Sequence, residues 1–196
     1  MSVANGSPSS RSAAMDIAYI AVFAALIIVL AFVSIPVGAA GIPIVLQNAA
    51  CILAGLVLGA RRGFLSVALF LVLGLIGLPV LAGGRTTLAA LAGPSVGYLV
   101  GYMFSALFAG LIAYGALRSS KQSAYRAALF ILAGIIGLLT QYLFGAIGLM
   151  IISDLTIGAA AAAQVPFLVP DAAKVAVMIA IALGVHQAFP DLARKN

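Results

Sequence analysis

The chain has 196 residues, of which 65% are hydrophobic and only 7% charged, and its mean hydropathy is +1.27. So few polar groups cannot cover a water-soluble globule, which places the protein in a lipid bilayer. The net charge of +6 comes from bases set between apolar runs, with no aromatic-basic stretch, so it reports membrane topology rather than nucleic-acid binding.

The apolar runs approach 20 residues each, enough to cross roughly 30 Å of hydrocarbon as helices, and strands of alternating polarity are absent, which excludes a transmembrane β-barrel. The reading is an all-α integral membrane protein. One membrane domain, 15–189, carries six spans, at Met15 to Ile35, Ile44 to Ala60, Gly63 to Leu78, Ser95 to Leu117, Arg126 to Met150 and Asp171 to Phe189. Residues 1–14 and 190–196 are expected as short tails. The polar opening MSVANGSPSSRSAAMD runs straight into a full-length span and has no cleavable-signal pattern.

The first span carries Ala14, Ala18, Ala21 and Ala25, two small-xxx-small pairs that allow close approach of a neighbouring helix, either internal or from a partner. Gln47 and Asn48 open the second span after Pro43, where their amides reach either a ligand or the adjoining loop. Arg61 and Arg62 then form a tight turn into the third span. Gly83 and Gly84, in the connection that follows, permit positive φ and close backbone approach to a ligand. Arg85 is the lone base there, suited to an anionic group or to Asp154.

The fourth span repeats small residues every fourth position, at Gly93, Gly97, Gly101, Ser105, Ala109 and Ala113, and so predicts tight helix packing. Tyr98 in this span, and Gln141 and Tyr142 in the fifth, are candidates either to line a pocket or to bond between helices. Asp171 opens the last span, and Lys174 follows one helical turn later on the same face. An intramembrane charge costs roughly 2.5–3.5 kcal/mol on insertion scales, so the pair reads as a ligand site, with a structural salt bridge or a helix cap as the alternative.

Arg11, Arg61, Arg62, Arg118, Lys121, Arg126, Arg194 and Lys195 all fall on one side of the six-span arrangement, leaving Arg85 and Lys174 elsewhere. Short loops rich in bases stay inside, so both termini are expected in the cytoplasm. The connections on the other side, PVGAAGIP, LPVLAGGRTTLAALAGP and ISDLTIGAAAAAQVPFLVP, are apolar and rich in Gly, Ala and Pro. Irregular backbone at membrane depth needs a protein or cavity lining, so these three are expected as re-entrant outer loops capping a pocket.

The segments GLIGLPVLAGGRTTLAALAGPSVGYLVGY and PFLVPDAAK, and the six-helix plan around them, resemble the BioY family, the biotin-binding S components of energy-coupling-factor vitamin transporters. The resemblance implies capture of biotin from outside, under the outer loops, by a protein that is not an enzyme and needs no cofactor. It implies partnership with a membrane T component and two cytoplasmic ATPases, with the Ala14, Ala18, Ala21 and Ala25 face against the T component. The family's acid and base before the last helix match Asp171 and Lys174. An ionised carboxylate accepts the ureido N–H groups through charge-assisted bonds; Lys174 either donates to the ureido carbonyl or holds Asp171 ionised. Arg85 suits the valerate carboxylate.

Other classes find little support in the residues. GGRTT lacks the first glycine and the lysine of a phosphate loop. Cys51 and His186 are each single, so neither metal nor disulfide is expected. The competing reading is a secondary transporter in which Asp16, Asp154 or Asp171 exchanges protons, although no inverted repeat with two broken helices is evident.

Overall fold

The computed structural model describes residues 8–35, 44–118 and 123–192, nearly all of them helical. In chain order these are helix α1 (Pro8–Ala31), the two-residue strands β1 (Ser34–Ile35) and β2 (Ile44–Val45), and helices α2 (Gln47–Leu75), α3 (Thr87–Leu91), α4 (Val96–Leu117), α5 (Ser123–Ser153), α6 (Ile157–Ala162) and α7 (Val165–Ala188). Strands β1 and β2 pair antiparallel. Among the described residues, α1, α2, α4, α5 and α7 are long and apolar enough to cross a membrane.

Gly59 decides the centre of this bundle. It interrupts α2 with φ 83° and ψ 178°, a conformation that an L side chain rarely adopts. A Cβ built on Gly63 would lie 2.7 Å from the Cα of Gly55, whereas eight residues of straight helix would separate the two by about 12 Å. The chain therefore reverses at Gly59. The spans expected at 44–60 and 63–78 are the two arms of one helical hairpin, residues 47–58 and 60–75.

The first arm is the central post, with every residue from 47 to 59 buried. Its apolar side chains pack against α4, α5 and α7 in one cluster, while Cys51, Ala50 and Ala54 join α1 and the second arm in another. Glycines set the spacing, since a Cβ on Gly55 would strike the Ala106 carbonyl and one on Gly110 would meet the backbone of Gly59 and Ala60. On α4, Gly97 meets Gly148 and Gly101 meets Gln141, so most of the expected small-residue stripe packs internally; Gly93, before the helix, does not.

Breaking a helix at Gly59 leaves carbonyls without intrahelical partners. His186 of α7 places Nε2 2.9 Å from the Leu56 carbonyl, and the Tyr114 hydroxyl of α4 donates to Val57 at 2.8 Å. Arg62, just past the turn, pairs with Asp16 of α1 at 2.6 Å and lies over the Tyr19 ring. We expect Gly63→Leu to destabilise the protein by about 1–3 kcal/mol or more, because the added side chain meets backbone that cannot rotate away. Thermal unfolding of detergent-solubilised protein measures this, and an unchanged midpoint would mean that the arms do not pack at Gly55 and Gly63.

Several expected boundaries move. Helix α1 starts at Pro8 inside the expected tail and ends at Ala31 before the strand, and α5 runs three residues beyond the expected span at each end. The last helix begins at Val165, with Pro166 in its first turn, where a missing N–H costs no helical bond. The third outer connection is therefore mostly helix, made of the end of α5, α6 and the start of α7. The second contains a tight turn at 82–84 and α3. The first, 36–43, lies outside the described residues, as do Lys121, Arg194 and Lys195.

Candidate functional site

A cavity of about 570 Å³ opens at the end of the bundle opposite the Gly59 turn, within the roughly 300–1,000 Å³ of pockets that hold small molecules. Every substrate-site candidate from the sequence except Gly84 lines it: Gln47, Asn48, Gly83, Arg85, Tyr98, Gln141, Tyr142, Asp171 and Lys174. The central post brings Gln47 and Asn48 there, α4 brings Tyr98, α5 brings Gln141 and Tyr142, and α7 brings the acid and base. Leu81, Leu99, Leu149, Ala163 and Phe167 make the wall largely apolar.

Asp171 is only 4% exposed. It lies inside α7 rather than at the start, since the residue before the helix is Gln164, so the helix-cap alternative does not hold. One carboxylate oxygen, Oδ1, forms an ion pair with Lys174, and the other, Oδ2, accepts the Tyr142 hydroxyl at 2.8 Å. A carboxylate held by a cation and a hydroxyl still has lone pairs for further donors. The pair expected from one-turn spacing is formed, and it faces a cavity.

The remaining polar groups hold the walls together. Lys174 Nζ also donates to the Val45 carbonyl at 2.9 Å and to Asn48 Oδ1 at 3.1 Å, tying α7 to the start of the central post. Gln47 donates to the Val80 carbonyl at 2.8 Å, which fixes the connection after α2. Gln141 donates to the Asn48 carbonyl at 2.9 Å and to Ser105 Oγ at 3.0 Å, bonding α5 to α2 and α4. Both amides thus bond between elements while lining the cavity.

Gly83 and Gly84 have φ of 73° and 72°, the positive values that the Gly-Gly step permits, in a turn closed by pairing of Leu81 with Arg85. Arg85 is exposed and, among the described residues, donates only to the Ala82 carbonyl, at 3.5 Å, and does not pair with Asp154. Tyr98 packs its ring on Gly145. Tyr102, four residues on and on the same face, also lines the cavity and is absent from the sequence candidates; the spacing from Tyr98 is the signal that finds it. Phe167 is absent too, because its segment reads as loop. Ala14, Ala18, Ala21 and Ala25 are all exposed, on the side of α1 turned away from the packed residues Ala24, Ile27 and Ala31.

Comparison with known proteins identifies the family and the fold. Residues 4–191 match the model of the BioY family. The chain is 37% identical over 185 residues to the biotin transporter BioY of Rhodobacter capsulatus, covering 89% of this chain and 95% of the relative. It is 34% identical over 177 residues to the biotin transporter BioY of Rhizobium etli, again covering 89% and 95%. Its fold is similar to the crystal structure of the S-component for biotin from an ECF-type ABC transporter, with a TM-score of 0.78 at 30% identity over 92% of this chain and 94% of that one. A membrane bundle with this cavity, matched along nearly its whole length, is a member of the BioY family.

Proposed function

We propose that this chain is the biotin-capturing S component of an energy-coupling-factor uptake system. The observation that carries the reading is the Asp171 carboxylate, buried in a largely apolar cavity and held by Lys174 and Tyr142. Such a group accepts N–H donors through charge-assisted bonds, and the ureido ring of biotin presents two. Arg85, with its guanidinium largely unengaged, takes the valerate carboxylate, and the backbone of the Gly83 and Gly84 turn approaches the ligand closely. Titration calorimetry of the purified protein with biotin tests this. Heat-silent mixing, together with no biotin leaving the protein in native mass spectrometry, would refute it.

The chain lies in the inner membrane with both termini in the cytoplasm, following the bases at the turn around Arg61 and Arg62. Energy comes from a membrane T component and two cytoplasmic ATPases, and the protein itself catalyses no reaction. The exposed Ala14, Ala18, Ala21 and Ala25 face meets the T component, because small side chains let helices approach. Ala21→Trp is expected to leave biotin affinity within about twofold, as a surface substitution distant from the cavity does, while lowering T-dependent uptake. Uptake in vesicles carrying the whole complex reads the second effect; loss of binding in the purified variant would mean that the face packs internally.

A proton-coupled carrier finds less support. Asp16 is neutralised by Arg62, and Asp154 is exposed and absent from the cavity lining. Asp171 is the remaining acid of the three. Accumulation of labelled biotin in vesicles containing only this protein, driven by a proton gradient, would favour the carrier.

A further inference from the structure

We propose that Asn48 donates the hydrogen bond to the ring carbonyl of the bound urea, and that Lys174 sets Asn48 in that role without touching the ligand. The inference rests on the biotin reading above and assigns the ureido carbonyl, which that reading leaves unmatched.

Lys174 has three N–H donors and meets three protein acceptors: Asp171 Oδ1, Asn48 Oδ1 and the Val45 carbonyl. Its protons are spent. An ammonium only donates, so its contact with Asn48 fixes which end of that amide faces it: the oxygen. Nδ2 is then left on the other side, with no hydrogen-bond partner among the described residues, on a side chain that lines the cavity and is only 8% exposed. Gln141 holds the backbone carbonyl of the residue, and Lys174 holds its side-chain oxygen. An amide N–H₂ on the cavity without a protein acceptor takes one from a ligand or water.

Of the other donors on this cavity, the Ser95, Tyr98 and Tyr102 hydroxyls make no hydrogen bond to Asp171, Lys174 or Asn48 among the described residues, and three more side chains already donate to protein acceptors. Tyr142 bonds Asp171, Gln47 bonds Val80, and Gln141 bonds Asn48 and Ser105. This end of the cavity therefore offers acceptor lone pairs on Asp171 and a donor on Asn48, two side chains that share contact with a single Lys174 ammonium. In a cyclic urea, ring closure holds each N–H cis to the carbonyl, so both project from one edge. That edge needs an acceptor and a donor side by side. An open-chain trans amide points its N–H and C=O in opposite directions and does not fit.

The test compares biotin with 2-iminobiotin in its protonated form, where a guanidinium N–H donor replaces the carbonyl acceptor. Wild-type protein should prefer biotin. Asn48→Asp keeps one oxygen for Lys174 and turns the cavity-facing donor into an acceptor. It should weaken biotin by about tenfold and reduce the preference for biotin over the analogue by at least about tenfold. A purely structural role would weaken both ligands alike and leave the ratio unchanged, which would overturn the proposal. Asn48→Ala provides a second reading should the aspartate variant not fold: biotin should weaken by about fivefold with little change for the analogue, and again an unchanged ratio overturns the assignment. A wild-type protein that binds neither compound refutes the biotin reading itself, and this proposal with it.

Discussion

Asp171→Asn should weaken biotin binding by about 1.5–3 kcal/mol, roughly 10- to 150-fold in Kd, with the fold retained. The size follows from replacing a charged acceptor by a neutral one in a site 4% exposed, where water cannot make up the loss. Fold retention follows from shape, because the amide oxygen of asparagine still meets Lys174, which keeps its other acceptors on Asn48 and Val45. Calorimetry and thermal unfolding on the same preparation separate the two effects. Unchanged affinity in a folded variant would mean that the ligand does not use this carboxylate.

The membrane class, the helical architecture and the acid–base pair were legible in the sequence because they depend on composition and one-turn spacing. Asp171 and Lys174 three residues apart had to share a face, and any helix through them brings them together. The hairpin was legible only in part. Arg61 and Arg62 mark a turn, but the backbone break at Gly59 goes with the close approach of Gly63 to Gly55 and of Gly110, from α4, to Gly59 and Ala60. The start of α7 is hard to read for a similar reason: Pro166 and Pro170 read as loop residues, yet one sits in the first turn and the other lies inside the helix. Proline signals a boundary only where the lost N–H has no substitute, and this helix tolerates the loss.

Residue roles were less legible than residue membership. Gln47, Asn48 and Gln141 were each open to ligand or structural use, and nothing local distinguishes the two. The choice depends on partners 33, 126 and 93 residues away. The same holds for Lys174, whose third acceptor, the carbonyl of Val45, has no sequence signature. A carbonyl is present at every residue, so only the fold identifies the one that matters.

Lys174→Met is expected to damage both stability and binding, more severely than Asp171→Asn damages stability. Removing the ammonium strips the Asp171 carboxylate of its ion partner in a buried site and leaves Tyr142 as its protein hydrogen-bond donor. Breaking such a pair by deleting one member costs about 3–5 kcal/mol, since the surviving charge stays desolvated. The ties from α7 to Val45 and Asn48 are lost at the same time. The double variant Lys174→Met with Asp171→Asn removes both charges and should recover much of the stability, because a neutral pair of similar volume carries no uncompensated charge. Biotin binding should not recover with it, since the charged acceptor is gone and Asn48 is no longer oriented by an ammonium. Thermal unfolding and calorimetry across the four-membered cycle measure both quantities. If the single lysine variant unfolds at the wild-type temperature, the buried charge is not compensated by Lys174; if the double variant binds biotin like wild type, recognition does not run through this pair.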